Sequence, residues 1–381
     1  MDSAGLLSPL PERSHLRPKS KASPLRVAVV GASPDGFGAR AHLPGIHAAD
    51  GVELAAICTA HDETAKSAAD LWNAPRWYGD LDALLEDEEV DLVTVAVKPR
   101  AHHPIAKAVL EAGKMVYCEW PLALNTSEAG DLAALAADRS IATGVGLQGR
   151  WVPALRHLRD LVSSGSIGRP ISFYASQELP TFYIAADRAW LARESEASGA
   201  LFVASAHVTD AVRFVLSEPE AIVGIRTTLR PDDTFTDTGE PFRWEASDTV
   251  SYLARLAGGV IGTVNVSNIT DPPKGFTLRI LGDEGQLVAT APGYYQFTPV
   301  TLQAGKPGGQ LETVDIPAHL WGGTDLDEGH AGANVGRSLA AFASALHGGT
   351  KFEPDFAQGL ELHRIIDALI ESSDSQAWVD V

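Results

Sequence analysis

The chain has 381 residues, too many for one ordinary hydrophobic core and suited to two domains. Its formal charge of -19 argues against a nucleic-acid or anionic-membrane partner, because phosphate binding needs a basic surface. With 45% hydrophobic and 21% charged residues, it can bury a sizeable core.

Cys58 and Cys118 are the only cysteines, and both fall inside apolar, strand-like runs. That suits a reducing compartment with buried thiols and excludes a disulfide framework or a cysteine zinc site, so a cytoplasmic location is expected. No apolar run approaches the ~20 residues of a membrane span. Residues 1–24 are rich in Pro, Ser and basic side chains, lack the apolar centre of a secretory signal, and read as a flexible extension.

From Arg26 the pattern becomes regular. Arg26 to Val30 is a short β-branched run followed by Gly31-Ala32-Ser33-Pro34-Asp35-Gly36-Phe37-Gly38 and a helical stretch from Ala41 to His47. Strand, glycine loop and helix in that order suit a pyrophosphate on the amides of the helix start, although the spacing departs from G-x-G-x-x-G. Ser33 and Phe37 join Gly31 and Gly38 in this loop by position. Further strands are expected at Val52 to Thr59, Leu92 to Lys98, Met115 to Cys118 and Thr143 to Leu147. The helices between them run from Asp62 to Trp72, His103 to Gly113 and Ser127 to Arg139. Such alternation predicts a doubly wound parallel sheet over residues 25–149, a Rossmann domain. The second strand ends in Thr59-Ala60-His61, where an Asp or Glu normally accepts from the adenosine ribose of NAD. Without that carboxylate a 2′-phosphate is not repelled, so NAD(P) is expected with NADP slightly ahead of NAD.

A helix from Pro153 to Val162 then leads to strands at Ile171 to Gln177, Ala221 to Thr227, Thr249 to Leu256, Val260 to Val266, Thr277 to Leu281 and Gly285 to Ala289. These predict an α+β domain over 150–381 with a large open, mostly antiparallel sheet. Helices from Gly199 to Leu216, Gly336 to Leu346 and Phe356 to Glu371 complete it.

Val30-Gly31, His103, Ala112-Gly113-Lys114, Cys118-Glu119-Trp120-Pro121-Leu122-Ala123, Gly165-Ser166-Ile167-Gly168 and Gly199 to Asp210, in that order, resemble the glucose-fructose oxidoreductase and inositol dehydrogenase family (Gfo/Idh/MocA). The resemblance runs from about Arg26 to the end. It implies a Rossmann domain and an open sheet that meets a nicotinamide, with hydride chemistry on a sugar or cyclitol carbinol. Members use the Lys of a Glu-Lys-Pro motif and a later Asp-x-x-x-His pair. Here Trp120 stands at the Lys position and Val203 at the Asp position, while His207 remains. Glu119-Trp120, Lys98 and Leu147-Gln148-Gly149-Arg150 resemble the branch of the fungal galactose-pathway corepressor, which binds dinucleotide.

Two readings of the function therefore stand side by side. In the first, the chain is an NAD(P)-dependent oxidoreductase acting on a sugar, glycoside or related polyol, with His207 as acid/base group. Asp210, three residues on, is placed to orient the imidazole. Lys98 and Arg150 are the candidates to stabilise a developing alkoxide in place of the missing Lys. Trp120 offers a flat face for a sugar or nicotinamide, and Glu119 a hold on a ribose hydroxyl. Thr59, His61, Lys98, His103 and Gln148 complete the candidate cofactor set; Gln148, Arg150, Tyr183 and Trp190 join Trp120 and His207 as substrate candidates. The second reading is a non-catalytic dinucleotide sensor or transcriptional regulator acting through a protein partner. No metal is expected, because the adjacent His102 and His103 do not face one another on a helix. A homo-oligomer through the second-domain sheet is expected from the resemblance.

Overall fold

The computed structural model describes residues 23–381, so the expectation for residues 1–22 lies outside the described residues. By contacts the chain divides into two compact units.

In the first unit the strands are β1 (Leu25–Val30), β2 (Val52–Cys58), β3 (Trp77–Tyr78), β4 (Leu92–Val95), β5 (Met115–Glu119) and β6 (Thr143–Gly146). Between them run α1 (Leu43–Ala48), α2 (Asp62–Trp72), α3 (Leu81–Leu85), α4 (His102–Glu111) and α5 (Thr126–Arg139). All pairings are parallel, in the order β3-β2-β1-β4-β5-β6, the doubly wound Rossmann arrangement. Every residue of β4 and β6 is buried, as strands covered on both faces must be. Arg26, the polar residue of β1, is neutralised by Asp91, with Nη2 2.7 Å from Oδ1.

This unit also takes back residues Gly322–Gly359, which a division at residue 150 would leave in the second domain. The reason lies in small residues. A Cβ on Gly45 would meet the Gly332 carbonyl at 2.9 Å, and one on Gly336 the Gly45 carbonyl at 3.0 Å. Glycine therefore lets α8 (Ala333–Gly348) lie close against α1. Beyond it the chain covers the edge of the sheet, where Val145 N donates to the Pro354 carbonyl at 2.9 Å.

The second unit holds α6 (Pro153–Ser163), β7 (Pro170–Glu178), α7 (Ala206–Val215), β8 (Pro219–Thr227), β9 (Asp232–Thr234), β10 (Pro241–Arg243), β11 (Thr249–Leu256), β12 (Ile261–Ser267), β13 (Gly275–Gly282), β14 (Gln286–Ala291), β15 (Thr301–Gly305) and β16 (Glu312–Thr313). Most of α9 (Phe356–Ser375) and β17 (Val379–Asp380) belong to it too. Nine strands form one sheet in the order β16-β15-β14-β13-β7-β12-β11-β8-β17, antiparallel except for β12 beside β7. β9 and β10 make a separate hairpin, braced by Phe242 stacked on Phe235 at 4.3 Å, that the sequence reading did not anticipate.

Strand alternation separates the faces of the large sheet. Val250, Tyr252, Ala254 and Leu256 of β11 are buried, whereas Leu253 and Arg255 are exposed. The register sets Leu253 beside Thr263, and Thr263 beside Tyr174, so one row crosses the outer face. Ile171, Ile225, Ile261 and Leu281 are further exposed apolar side chains on these strands. Among the described residues no helix is long and apolar enough to cross a membrane.

Candidate functional site

In the first unit the site is built around the turn after β1. Gly31 has φ +103, and a Cβ there would meet the Ala96 carbonyl at 2.5 Å. A Cβ on Gly38 would overlap the Gly31 carbonyl. The loop thus closes on itself at two glycines and delivers backbone amides to the helix start, a cradle that fits a dinucleotide pyrophosphate. Ser33 is exposed at the tip, where its carbonyl accepts from Gly36 N at 2.8 Å, and Phe37 is half-buried with its edge to His42.

The helix opens with a wide π turn over Gly38–His42 rather than α-helix. Such turns recur at functional sites. The extra residue carries His42 inward, fully buried, where its Nε2 donates to Glu119 Oε1 at 2.7 Å. Gln148 Nε2 donates to Glu119 Oε2, also at 2.7 Å. Room for this carboxylate comes from Gly146, its register partner on β6; a Cβ there would sit 2.5 Å from Glu119 Oε1. Both oxygens of Glu119 are thus engaged inside the unit, on groups other than a ribose hydroxyl. Sequence reading missed His42, whose only signal is its place four residues after the last loop glycine.

The other first-unit candidates are dispersed along the carboxyl edge of the sheet. β4 ends at Val95, so Lys98 is not a strand residue; it is exposed and precedes a short 3-10 turn, Pro99–Ala101. Its place after β4, next to β1, is the switch point where open α/β sheets bind ligands. Trp120 is buried, 7% exposed, so the indole is not an open platform. His102 ties this turn to the end of β4, with Nδ1 2.6 Å from the Pro121 carbonyl and Nε2 3.0 Å from that of Val97. Burial holds its pKa below the ordinary histidine value. His103 points elsewhere and places Nε2 2.7 Å from Asp131, which Lys107 also holds. At the end of β2 the Thr59 hydroxyl meets Thr64 Oγ1 at 2.6 Å, His61 is exposed, and α2 opens with Asp62 and Glu63. Among the described residues no group of three or more potential ligands could hold a metal ion.

In the second unit the helix that carries His207 starts with another π turn, Ala200–Ser205, before α7. It is buried along its length from Ala200 to Arg213 except at Val203 and His207, which are partly exposed. Four residues apart, these two share one face. Several bonds hold the helix in place. Tyr295 OH donates to the His207 carbonyl at 2.7 Å, and the Thr209 and Tyr252 hydroxyls meet at 2.6 Å.

Arg150 and Asp210 form the strongest anchor. Arg150 Nη2 donates to Asp210 Oδ1 at 2.6 Å and Nε to Oδ2 at 2.9 Å, with both side chains buried. Arg213 Nη1 lies 3.8 Å from the same carboxylate. This corrects two expectations. Asp210 gives its oxygens to Arg150 instead of orienting His207, and Arg150 is spent on that buried pair instead of supporting an alkoxide. Tyr183 is 61% exposed and Trp190 half-buried; neither lines the cavity in this unit, whereas their neighbours Phe182 and Leu191 do.

Comparison with known proteins gives this geometry a family. Residues 25–147 match the oxidoreductase family with an NAD-binding Rossmann fold, and residues 155–288 match the GFO/IDH/MocA C-terminal domain. Levoglucosan dehydrogenase of Pseudarthrobacter phenanthrenivorans is 27% identical over 85% of this chain and 88% of its own. The solved structure of levoglucosan dehydrogenase in complex with NADH and levoglucosan superposes with a TM-score of 0.82 at 26% identity, covering 94% of this chain and 99% of that one. The super-repressor mutant of Gal80p from Saccharomyces cerevisiae shares the fold, with a TM-score of 0.82 at 18% identity over 94% of this chain and 98% of its own. The chain belongs to the Gfo/Idh/MocA oxidoreductase family.

Proposed function

We propose that this chain is an NAD(P)-dependent oxidoreductase that transfers hydride between a nicotinamide and a carbinol or carbonyl of a sugar, glycoside or related polyol. The observation that carries the reading is His207, a titratable side chain left partly exposed, with Val203, on a helix that is buried elsewhere from Ala200 to Arg213 and anchored. The nicotinamide, when bound, supplies the hydride acceptor or donor. His207 takes the hydroxyl proton as the carbinol is oxidised and returns it in the reverse direction. The Arg150–Asp210 pair positions that helix and carries no step of its own. In the first unit the glycine turn would hold the pyrophosphate and Lys98 an oxygen of the dinucleotide, while His42 and Gln148 fix Glu119. Thr59, in place of a carboxylate at the end of β2, leaves a 2′-phosphate unopposed there, so NADP is favoured slightly over NAD.

The test is reduction of NAD and NADP, supplied separately, across a panel of sugars, glycosides and cyclitols. Turnover on a carbinol substrate is the expected result. The second reading, a dinucleotide sensor, is favoured by the engagement of Arg150 with Asp210, which ties that guanidinium into a buried pair. Tight dinucleotide binding with no turnover in either direction would select it.

The apolar outer face of the large sheet supports self-association. Light scattering is expected to give a dimer or tetramer, and a Leu253→Glu, Ile225→Glu double variant a smaller species. A monomeric parent protein would contradict this.

A further inference from the structure

The second unit contains a cavity of about 100 Å³ that the proposed chemistry does not use. Its wall includes Gly199 and Val203, the latter on the same helix face as His207 and one turn before it. The remaining wall is largely apolar: Phe182, Leu191, Trp244, Ile269 and Tyr294. Burial pushes the Tyr294 phenol up to about 12, so it stays neutral there at ordinary pH. Phe182, 46% exposed, is a large apolar side chain that a ligand would cover.

The charged residues of the wall are turned to internal work. Asp248 accepts from the backbone amides of Leu229 and Arg230 at 3.0 and 2.8 Å. Arg230 Nη1 donates to Thr181 Oγ1 at 3.0 Å, and Asp233 accepts weakly from Trp244 Nε1 at 3.4 Å. Two carboxylates against one guanidinium also repel a phosphate or carboxylate on the ligand. The shape is fixed locally, since a Cβ on Gly199 would meet both the Ala246 Cβ and the Ser247 carbonyl at 2.8 Å, and Ala200 N donates to that carbonyl at 2.7 Å. An enclosed apolar cavity of about 150 Å³ holds a benzene ring; this one is smaller but open to solvent, so it takes a short alkyl chain or one ring that projects from its mouth.

We infer that the cavity is a subsite for an uncharged apolar substituent next to the reacting carbinol, and that the substrate is a glycoside or polyol bearing an aryl or alkyl group rather than a free or phosphorylated sugar. The inference rests on the reading of His207 as the acid/base group. The polar ring of the substrate would then lie toward His207 and its apolar group toward Val203, Trp244 and Phe182.

The experiment is calorimetric titration of the full chain with phenyl β-glucoside and with methyl β-glucoside, repeated on Val203→Asp and Trp244→Ala. The phenyl compound is expected to bind about tenfold or more tightly than the methyl one, the discrimination an apolar pocket gives for added hydrocarbon. Both variants should shrink that ratio toward one; two are needed because either alone could disturb folding. Equal affinities in the parent protein, binding of neither compound, or a ratio that both folded variants leave unchanged would overturn the assignment. Binding is read without turnover, which keeps the two proposals apart. A protein that prefers the phenyl compound yet never reduces a nicotinamide would sink the oxidoreductase reading and leave the subsite in place.

Discussion

His207→Ala is expected to lower kcat by about 10²–10⁴-fold, the range that a positioned general base contributes, while dinucleotide affinity stays unchanged. The split follows from where the residue sits. His207 is on the second unit's helix, whereas the glycine turn, Lys98 and the Glu119 cluster belong to the first. Its backbone is held by Tyr295 OH through the carbonyl, a bond that any side chain at this position retains. The substitution therefore removes the imidazole and leaves the helix. The check is steady-state kinetics alongside dinucleotide titration of the same preparation. A variant that turns over within a few-fold of the parent would remove His207 from the mechanism.

Asp210→Ala is expected to cost about 3–5 kcal/mol of stability, because it strands a buried guanidinium that has lost its carboxylate. Arg150 is only 9% exposed at its side chain and Asp210 2%, so water cannot take over the vacated contact. At roughly 1–1.5 °C per kcal/mol for a chain of 381 residues, the midpoint should fall by about 5 °C. Replacing both partners with apolar residues of similar volume should restore most of the loss, because neither charge is then left buried alone. Thermal unfolding of the single and double variants checks this. A single variant within 1 °C of the parent would show that the pair does not anchor α7.

Much of the fold was legible because it depends on local pattern. The span of α2, Asp62–Trp72, and that of β11, Thr249–Leu256, fall where hydrophobic periodicity places them. The return of Gly322–Gly359 to the first unit was not legible: it depends on glycines at 45, 332 and 336 meeting across a long sequence separation. Side-chain partnerships show the same limit. The i, i+3 spacing of His207 and Asp210 suggests contact, but Arg150, 60 residues away from Asp210, takes the carboxylate. Tyr183 and Trp190 fall one residue from cavity-lining Phe182 and Leu191, since an irregular segment has no period to say which side chain faces inward. His42 escaped notice because a π turn, not an α-helical one, directs it toward Glu119.

The central claim is hydride transfer itself, and it is measured most directly by label. Reduced dinucleotide carrying deuterium at the transferable position would be incubated with the purified chain and the oxidised form of a panel substrate, and the product examined by mass spectrometry. The account predicts deuterium on the carbinol carbon with the parent protein and its near-absence with His207→Ala. Tight binding of the reduced dinucleotide with no label transferred to any panel compound would contradict it.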